Sequence, residues 1–196
     1  METLRKADIE AVLWLNQWSG AHRSFDIFFE ILVSDYFFPI LLALTLFGLW
    51  FWGKDAKSRE SNQRAVITAV VSIGFANLVV LLINDYYFRP RPFFENELEL
   101  IFYLPTDSSF PANPAVLSSS IAFGVWKTRK HLGTFLLLLG AFWSLSRVYA
   151  GLFFFTDVFA GALIGIATAY LVSYGLRWLE PLPTLLIRCS RLFHLA

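Results

Sequence analysis

The run from Ala65 to Ile83 contains no formal charge and no proline. A helix of that length and apolarity crosses a hydrocarbon layer roughly 30 Å thick, with each backbone donor and acceptor satisfied inside the segment. Four further runs carry the same signal, so spans are predicted at about 36–53, 65–83, 112–126, 132–150 and 158–176. Composition agrees: the chain is 57% hydrophobic and 16% charged, more apolar and less charged than soluble domains. The expectation is an all-α polytopic bundle, one membrane domain over 1–196, with no internal repeat.

Both ends read as amphipathic. Over residues 8–19, Ile9, Val12, Leu13 and Trp18 fall near helical spacing, with Asp8, Glu10 and Gln17 off that face. This helix is predicted to lie in the membrane interface rather than to span. Residues 24–34 either lead into the first span or pack beside it. Pro181 and Pro183 precede a tail, 184–196, in which Arg188, Arg191 and His194 recur three apart. The charged start Met1 to Lys6 leads into Asp8 and Glu10, unlike the unbroken apolar core of a cleavable signal.

Charge orients the chain. The polar loop Lys54–Arg64, the turn Lys127–Lys130 and the tail hold most of the cations, and the positive-inside rule makes that side cytoplasmic. Trp50, Trp52, Trp126 and Trp178 sit at the same boundary, as an aromatic belt does. The long Asn84–Pro111 loop and the short break Leu152–Thr156 then both face outward. A net charge of +1 implies no surface for nucleic acid. Cys189 is the sole cysteine, so no internal disulfide forms.

Three groups converge on the outer face. Phe88-Arg89-Pro90-Arg91-Pro92 follows the second span, Ser108 to Pro114 heads the third, and Ser146-Arg147 ends the fourth, with Asp157 heading the fifth. Arginine beside hydrocarbon is costly unless an anion meets it. Guanidiniums on proline-braced backbone suit phosphate oxygens through forked donors, and helix N-termini add N–H groups. The residues therefore describe an outward-facing anion site at the rim of a bundle.

This layout resembles the type 2 phosphatidic acid phosphatase superfamily, which shares its fold with vanadium haloperoxidases. It is most similar to the bacterial undecaprenyl-pyrophosphate phosphatase branch, over nearly the whole chain. The resemblance implies three motifs. In the first, Lys, six residues, Arg-Pro, this chain has Asn84 for the lysine and then Arg91-Pro92. In the second, Pro-Ser-Gly-His or Pro-Ser-Asp-His, it has Pro111-Ala112-Asn113-Pro114, so Pro114 holds the place of the histidine that protonates the leaving group. In the third, Ser-Arg, five residues, His, three residues, Asp, it has Ser146-Arg147, Phe153 and Asp157, so Phe153 replaces the nucleophilic histidine.

The departures fall on the chemistry. A phenyl ring has no lone pair to attack phosphorus, and a proline ring has no transferable proton. Arg91, Arg147, Ser146 and Asn113 remain as expected phosphate-binding residues, with Asp157 orienting or capping. The implied protein is a catalytically inactive relative in a bacterial or archaeal cytoplasmic membrane. It binds a lipid phosphate or pyrophosphate, polyprenyl or otherwise, or serves as an accessory subunit to other membrane proteins. No metal or cofactor is expected.

Two alternatives stand beside it. One is an active undecaprenyl pyrophosphate phosphatase with an atypical nucleophile, such as water placed by Asp157. The other is a purely structural scaffold. Simple ion pairing is the competing reading of Arg91 and Arg147, with Asp157, Asp85 or the acids from Glu95 to Glu99 as partners. Arg89 reads as a loop cation, Asp157 as a helix cap, and Ser118, Ser119 and Ser120 as small residues that let helices approach. Of the histidines, His131 and His194 fall on the inner side and His22 lies near the first helix.

Overall fold

The structure, a computed structural model, describes residues 2–20, 23–99 and 103–193, so His22 and His194 lie outside the described residues. The regular elements are helices: α1 (Glu2–Asn16), α2 (Arg23–Val33), α3 (Phe37–Phe51), α4 (Ala56–Tyr86), α5 (Pro92–Glu95), α6 (Asn113–Trp126), α7 (Lys130–Tyr149), α8 (Phe155–Trp178) and α9 (Pro181–Leu192).

Helix α6 is the axis of the bundle. It packs against α4, α7 and α8, and most of its residues are buried. At 14 residues it is about 21 Å long, too short to cross hydrocarbon alone. It does not need that length, because its neighbours shield it from lipid. Among the described residues, three helices, α4, α7 and α8, are long and apolar enough to span. A fourth span arises if the bent pair Asp26–Val33 and Phe37–Phe51, angled at 53°, is taken together. The expected count of five is thus not reached by length, since α6 is a core helix.

Small residues set the close packing. Gly165 of α8 lies against Ser119, Val116 and Ser120 of α6, and Gly140 of α7 against Ser118. The three serine hydroxyls donate back to carbonyls of their own helix, Ser119 to Ala115 at 2.6 Å for example. They are satisfied without needing a partner from the neighbouring helix.

Two expectations are corrected. The stretch Lys54–Arg64 is not a loop: α4 begins at Ala56, because Asp55 caps it by accepting the Ser58 N–H at 2.6 Å. Asp8 does not face away from the apolar side of α1. It is buried on one face with Val12 and Asn16, four residues apart each, where α1 docks against α7 and α8. The first helix is therefore part of the bundle rather than only an interfacial strip.

Candidate functional site

The heads of α6 and α8 meet at the end opposite the basic turn Lys127–Lys130. The Ala112 N–H donates to the Asp157 carbonyl at 3.1 Å, and a Cβ on Gly161 would come within 2.7 Å of the Ala112 carbonyl. Gly151, with φ of +70°, reverses the chain between α7 and α8 in a conformation that favours glycine. This turn brings Arg147, on the last turn of α7, close to Phe153 at the entry to α8.

A cavity of about 410 Å³ opens at this junction, and Arg91, Asn113, Pro114, Arg147 and Phe153 all line it. Segments far apart in sequence thus supply one concave surface. Arg91 is 97% buried there, with 3% exposure. Its Nε donates to the Asp107 carbonyl at 3.1 Å, Nη1 to the Leu152 carbonyl at 2.9 Å, and Nη2 to the Asp107 carboxylate at 2.8 Å. Burial pulls its guanidinium below the ordinary value, Asp107 pulls it back up, and Arg147 lowers it further. An arginine remains a cation under those influences. Its ring-face contact is Phe153, at 4.4 Å from the guanidinium carbon to the centroid.

Arg147 is buried as well and pairs through Nη2 with Asp35, in the break between α2 and α3. Asp35 also accepts from the Tyr103 hydroxyl at 2.8 Å. That hydrogen bond, with burial and the carboxylate's charge, pushes the Tyr103 phenol above its ordinary value. Both cavity arginines are therefore ion-paired, but with Asp107 and Asp35 rather than with Asp157, Asp85 or the Glu95–Glu99 acids.

Ser146 and Asp157 do not join this cavity. The Ser146 hydroxyl donates to the Trp143 carbonyl within α7 at 2.7 Å. Asp157 is fully buried and turned the other way. One oxygen accepts the Phe154 N–H at 3.0 Å, which caps α8, and the other accepts from Arg89 at 2.5 Å. So Arg147 and Asp157, expected together in the anion site on the outer face, do not share one cavity, and the Asp157 carboxylate is held by Arg89. Arg89 is no free loop cation. It also donates to Thr156 at 2.7 Å and to Asp8 at 3.0 Å, and lies over the Phe154 ring at 4.1 Å. Asp8 in turn accepts from the Thr156 hydroxyl and N–H.

This second cluster borders a separate cavity of about 650 Å³, lined by Arg5, Asp8, Arg89 and Glu95 among others. Sequence reasoning missed Asp8, Asp35 and Asp107. Only Asp8 had a signal, its four-residue step to Val12 and Asn16. His131, in the first turn of α7, lines neither cavity.

With this geometry in hand, comparison with known proteins places the chain among relatives. Residues 65–181 match the PAP2 superfamily. The chain is 25% identical over 149 residues to undecaprenyl-diphosphatase BcrC of Bacillus subtilis, a match covering 76% of this chain and 75% of that protein. It is 31% identical over 135 residues to the bacitracin transport permease protein BcrC of Bacillus licheniformis, covering 68% of this chain and 64% of that protein. Among solved structures it is similar to LpxE of Aquifex aeolicus, with a TM-score of 0.64 and 27% identity over 83% of this chain and 92% of that one.

Proposed function

The chain belongs to the PAP2 superfamily, and from that premise we propose that it holds a lipid phosphate or pyrophosphate without hydrolysing it. It does so as a binding protein or as an accessory subunit of a membrane complex. The observation that carries this reading is the lining of the Arg91–Arg147 cavity. Two buried guanidiniums and the Asn113 amide face it, and the neighbouring walls are Phe153 and Pro114. Those are the two positions at which the family resemblance calls for imidazoles. Neither side chain can attack phosphorus or donate a proton to a leaving oxygen. Members of a catalytic unit act together, and losing either one costs on the order of a thousandfold or more in rate.

The polyprenyl pyrophosphate class is drawn from the relatives, one of which is named an undecaprenyl-diphosphatase. The cavity end faces outward in this reading, because the opposite end holds Lys54, Lys57, Arg64, Lys127, Arg129, Lys130 and the tail arginines.

Hydrolysis by a water placed on Asp157 is the second reading, favoured by that same relative's name. It lacks a free base: the Asp157 carboxylate is occupied by Arg89 and the Phe154 N–H and lines neither cavity. A scaffold without a ligand is the third.

Purified protein is incubated with undecaprenyl pyrophosphate and with phosphatidic acid, and released phosphate is measured alongside lipid binding. The expected result is binding without release, with binding lost in Arg147→Ala. Arg147 is the better variant, because Arg91 also ties the Asp107 loop to the α7–α8 turn. Sustained phosphate release by the wild-type chain would reject the proposal. Binding indifferent to Arg147→Ala would favour the scaffold.

A further inference from the structure

The Arg91–Arg147 cavity is electrically balanced. Asp107 sits on Arg91 at 2.8 Å, Asp35 sits on Arg147, and both carboxylates line the same space as the two cations. A pocket built for bare phosphate needs the guanidiniums and gains nothing from acids facing the same volume. The two kinds of charge are also arranged by depth. The arginine side chains are 3% and 6% exposed, whereas Asp107 is 57% and Asp35 is 39% exposed. Cations are thus fixed in the wall and anions stand at the mouth. The Tyr103 hydroxyl holds Asp35 in place there.

We propose that this cavity takes a phosphate ester bearing a primary ammonium group, the phosphoethanolamine type of head group, with phosphate on Arg91 and Arg147 and ammonium on Asp35 and Asp107. This rests on the reading of the cavity as a phosphate site and narrows its ligand. Binding is an exchange of partners. The phosphate bridges the two guanidiniums and the ammonium bridges the two carboxylates they release, so each charged group keeps an opposite neighbour and a zwitterionic head group leaves the net charge of the cavity unchanged. A phosphate monoester dianion frees the same two carboxylates and then faces them at the mouth, where like charges repel. A quaternary ammonium has no N–H to donate to a carboxylate, so choline esters do not complete the exchange. The volume, about 410 Å³, falls in the range of small-ligand sites.

The test titrates purified full-length protein in detergent with short-chain phosphatidylethanolamine, phosphatidylcholine and phosphatidic acid of matched tails, and with soluble O-phosphoethanolamine. Phosphatidylethanolamine is expected to bind about tenfold more tightly than either other lipid, one lost charge pairing being worth about that factor. Asp107→Asn and Asp35→Asn are each expected to shrink that preference, and the pair to reverse it toward phosphatidic acid. Asp107 is the more exposed of the two, so its variant keeps the test valid if Asp35→Asn fails to fold. Binding of O-phosphoethanolamine alone would locate recognition in the head group, and binding of the lipid alone would add the tails as a requirement; both support the proposal. Tightest binding of phosphatidic acid, or equal binding of the ethanolamine and choline lipids, lost in Arg147→Ala, would overturn the amine preference and leave the phosphate site standing. No Arg147-sensitive binding of any of these ligands would overturn the amine proposal, and the same result with undecaprenyl pyrophosphate would overturn the phosphate site as well.

Discussion

Substituting Gly165 by alanine tests whether the α6–α8 contact sets the geometry of the bundle. A Cβ at this position would meet the Val116 carbonyl at 2.5 Å and the Ser120 nitrogen at 3.0 Å, with the Ser119 hydroxyl nearer still. Two of these three atoms are backbone, so no rotamer change relieves the clash. Reaching the 3.4 Å at which ordinary contact begins requires the helices to part by about 0.9 Å there. Overpacking of this kind costs about 1–3 kcal/mol, and backbone obstruction puts it at the upper end. Alanine in a helix recovers about 1 kcal/mol over glycine, which leaves a net loss of about 2 kcal/mol. For a chain of this length that is a fall of roughly 4–8 °C in Tm.

The assay is thermal unfolding of purified variants in one detergent. Gly74→Ala is the control, since nothing lies within 4 Å of its added Cβ and helix propensity alone then raises Tm. A second comparison sharpens the test. At Gly140 the close atoms belong to the Ser118 side chain, and its Cα is 3.6 Å away, so Ser118→Gly should largely rescue Gly140→Ala. Ser119→Ala should rescue Gly165→Ala only in part, because the Val116 carbonyl stays. A Gly165→Ala variant as stable as Gly74→Ala, or fully rescued by Ser119→Ala, would refute the packing account.

Three further outcomes follow from the charge clusters and the basic end. Arg89→Ala strips the buried Asp157 and Asp8 carboxylates of their counter-ion and should cost about 3–5 kcal/mol, while Arg89→Ala with Asp157→Asn should cost less than the two losses added, as read by a double-mutant cycle on Tm. Asn62→Ala leaves the Trp52 carbonyl and the Arg129 guanidinium without their shared partner and should lose about 1–3 kcal/mol, measured by the same unfolding assay. The Tyr103 phenol, raised above its ordinary value, holds its proton more tightly folded than unfolded. Its hydrogen bond to Asp35 thus contributes fully below about pH 10 and is lost as pH climbs through the raised value, which an ultraviolet titration of wild type against Tyr103→Phe resolves.

How far the sequence reveals this molecule depends on the kind of force at each place. The apolar runs are legible because hydrocarbon tolerates few alternatives to a helix, and α4, α7 and α8 appear where those runs lie. The start of α4 is hidden because a polar stretch between apolar runs reads as a loop. A helix leaving the membrane can stay helical in water when it is capped by Asp55 and paired internally by Glu60 and Arg64. The counter-ions were the least legible part. Asp35 lies in a helix break and Asp107 in an irregular segment, so neither has a periodic neighbour to announce its direction. Which carboxylate meets which arginine is decided by docking across 112 residues for Arg147 and 16 for Arg91.

The aromatic faces and the ion pairs belong to one electrostatic solution. Arg91 lies over Phe153, Arg89 over Phe154 and Arg147 over Trp143, so each of these guanidiniums has a ring face as well as a carboxylate. An imidazole at position 153 would, once protonated, sit as a like charge against Arg91. A phenyl ring instead offers the negative face of its quadrupole, worth about 0.5–2 kcal/mol depending on desolvation. In the proposed reading, phenylalanine where the resemblance calls for histidine therefore means no nucleophile at 153 and no charge conflict beside the buried Arg91 guanidinium. Phe153→His should in consequence lower Tm, and lower it more at pH 5 than at pH 8, where the ring is neutral. Equal Tm losses at the two pH values would show that Arg91 and residue 153 are not electrostatically coupled.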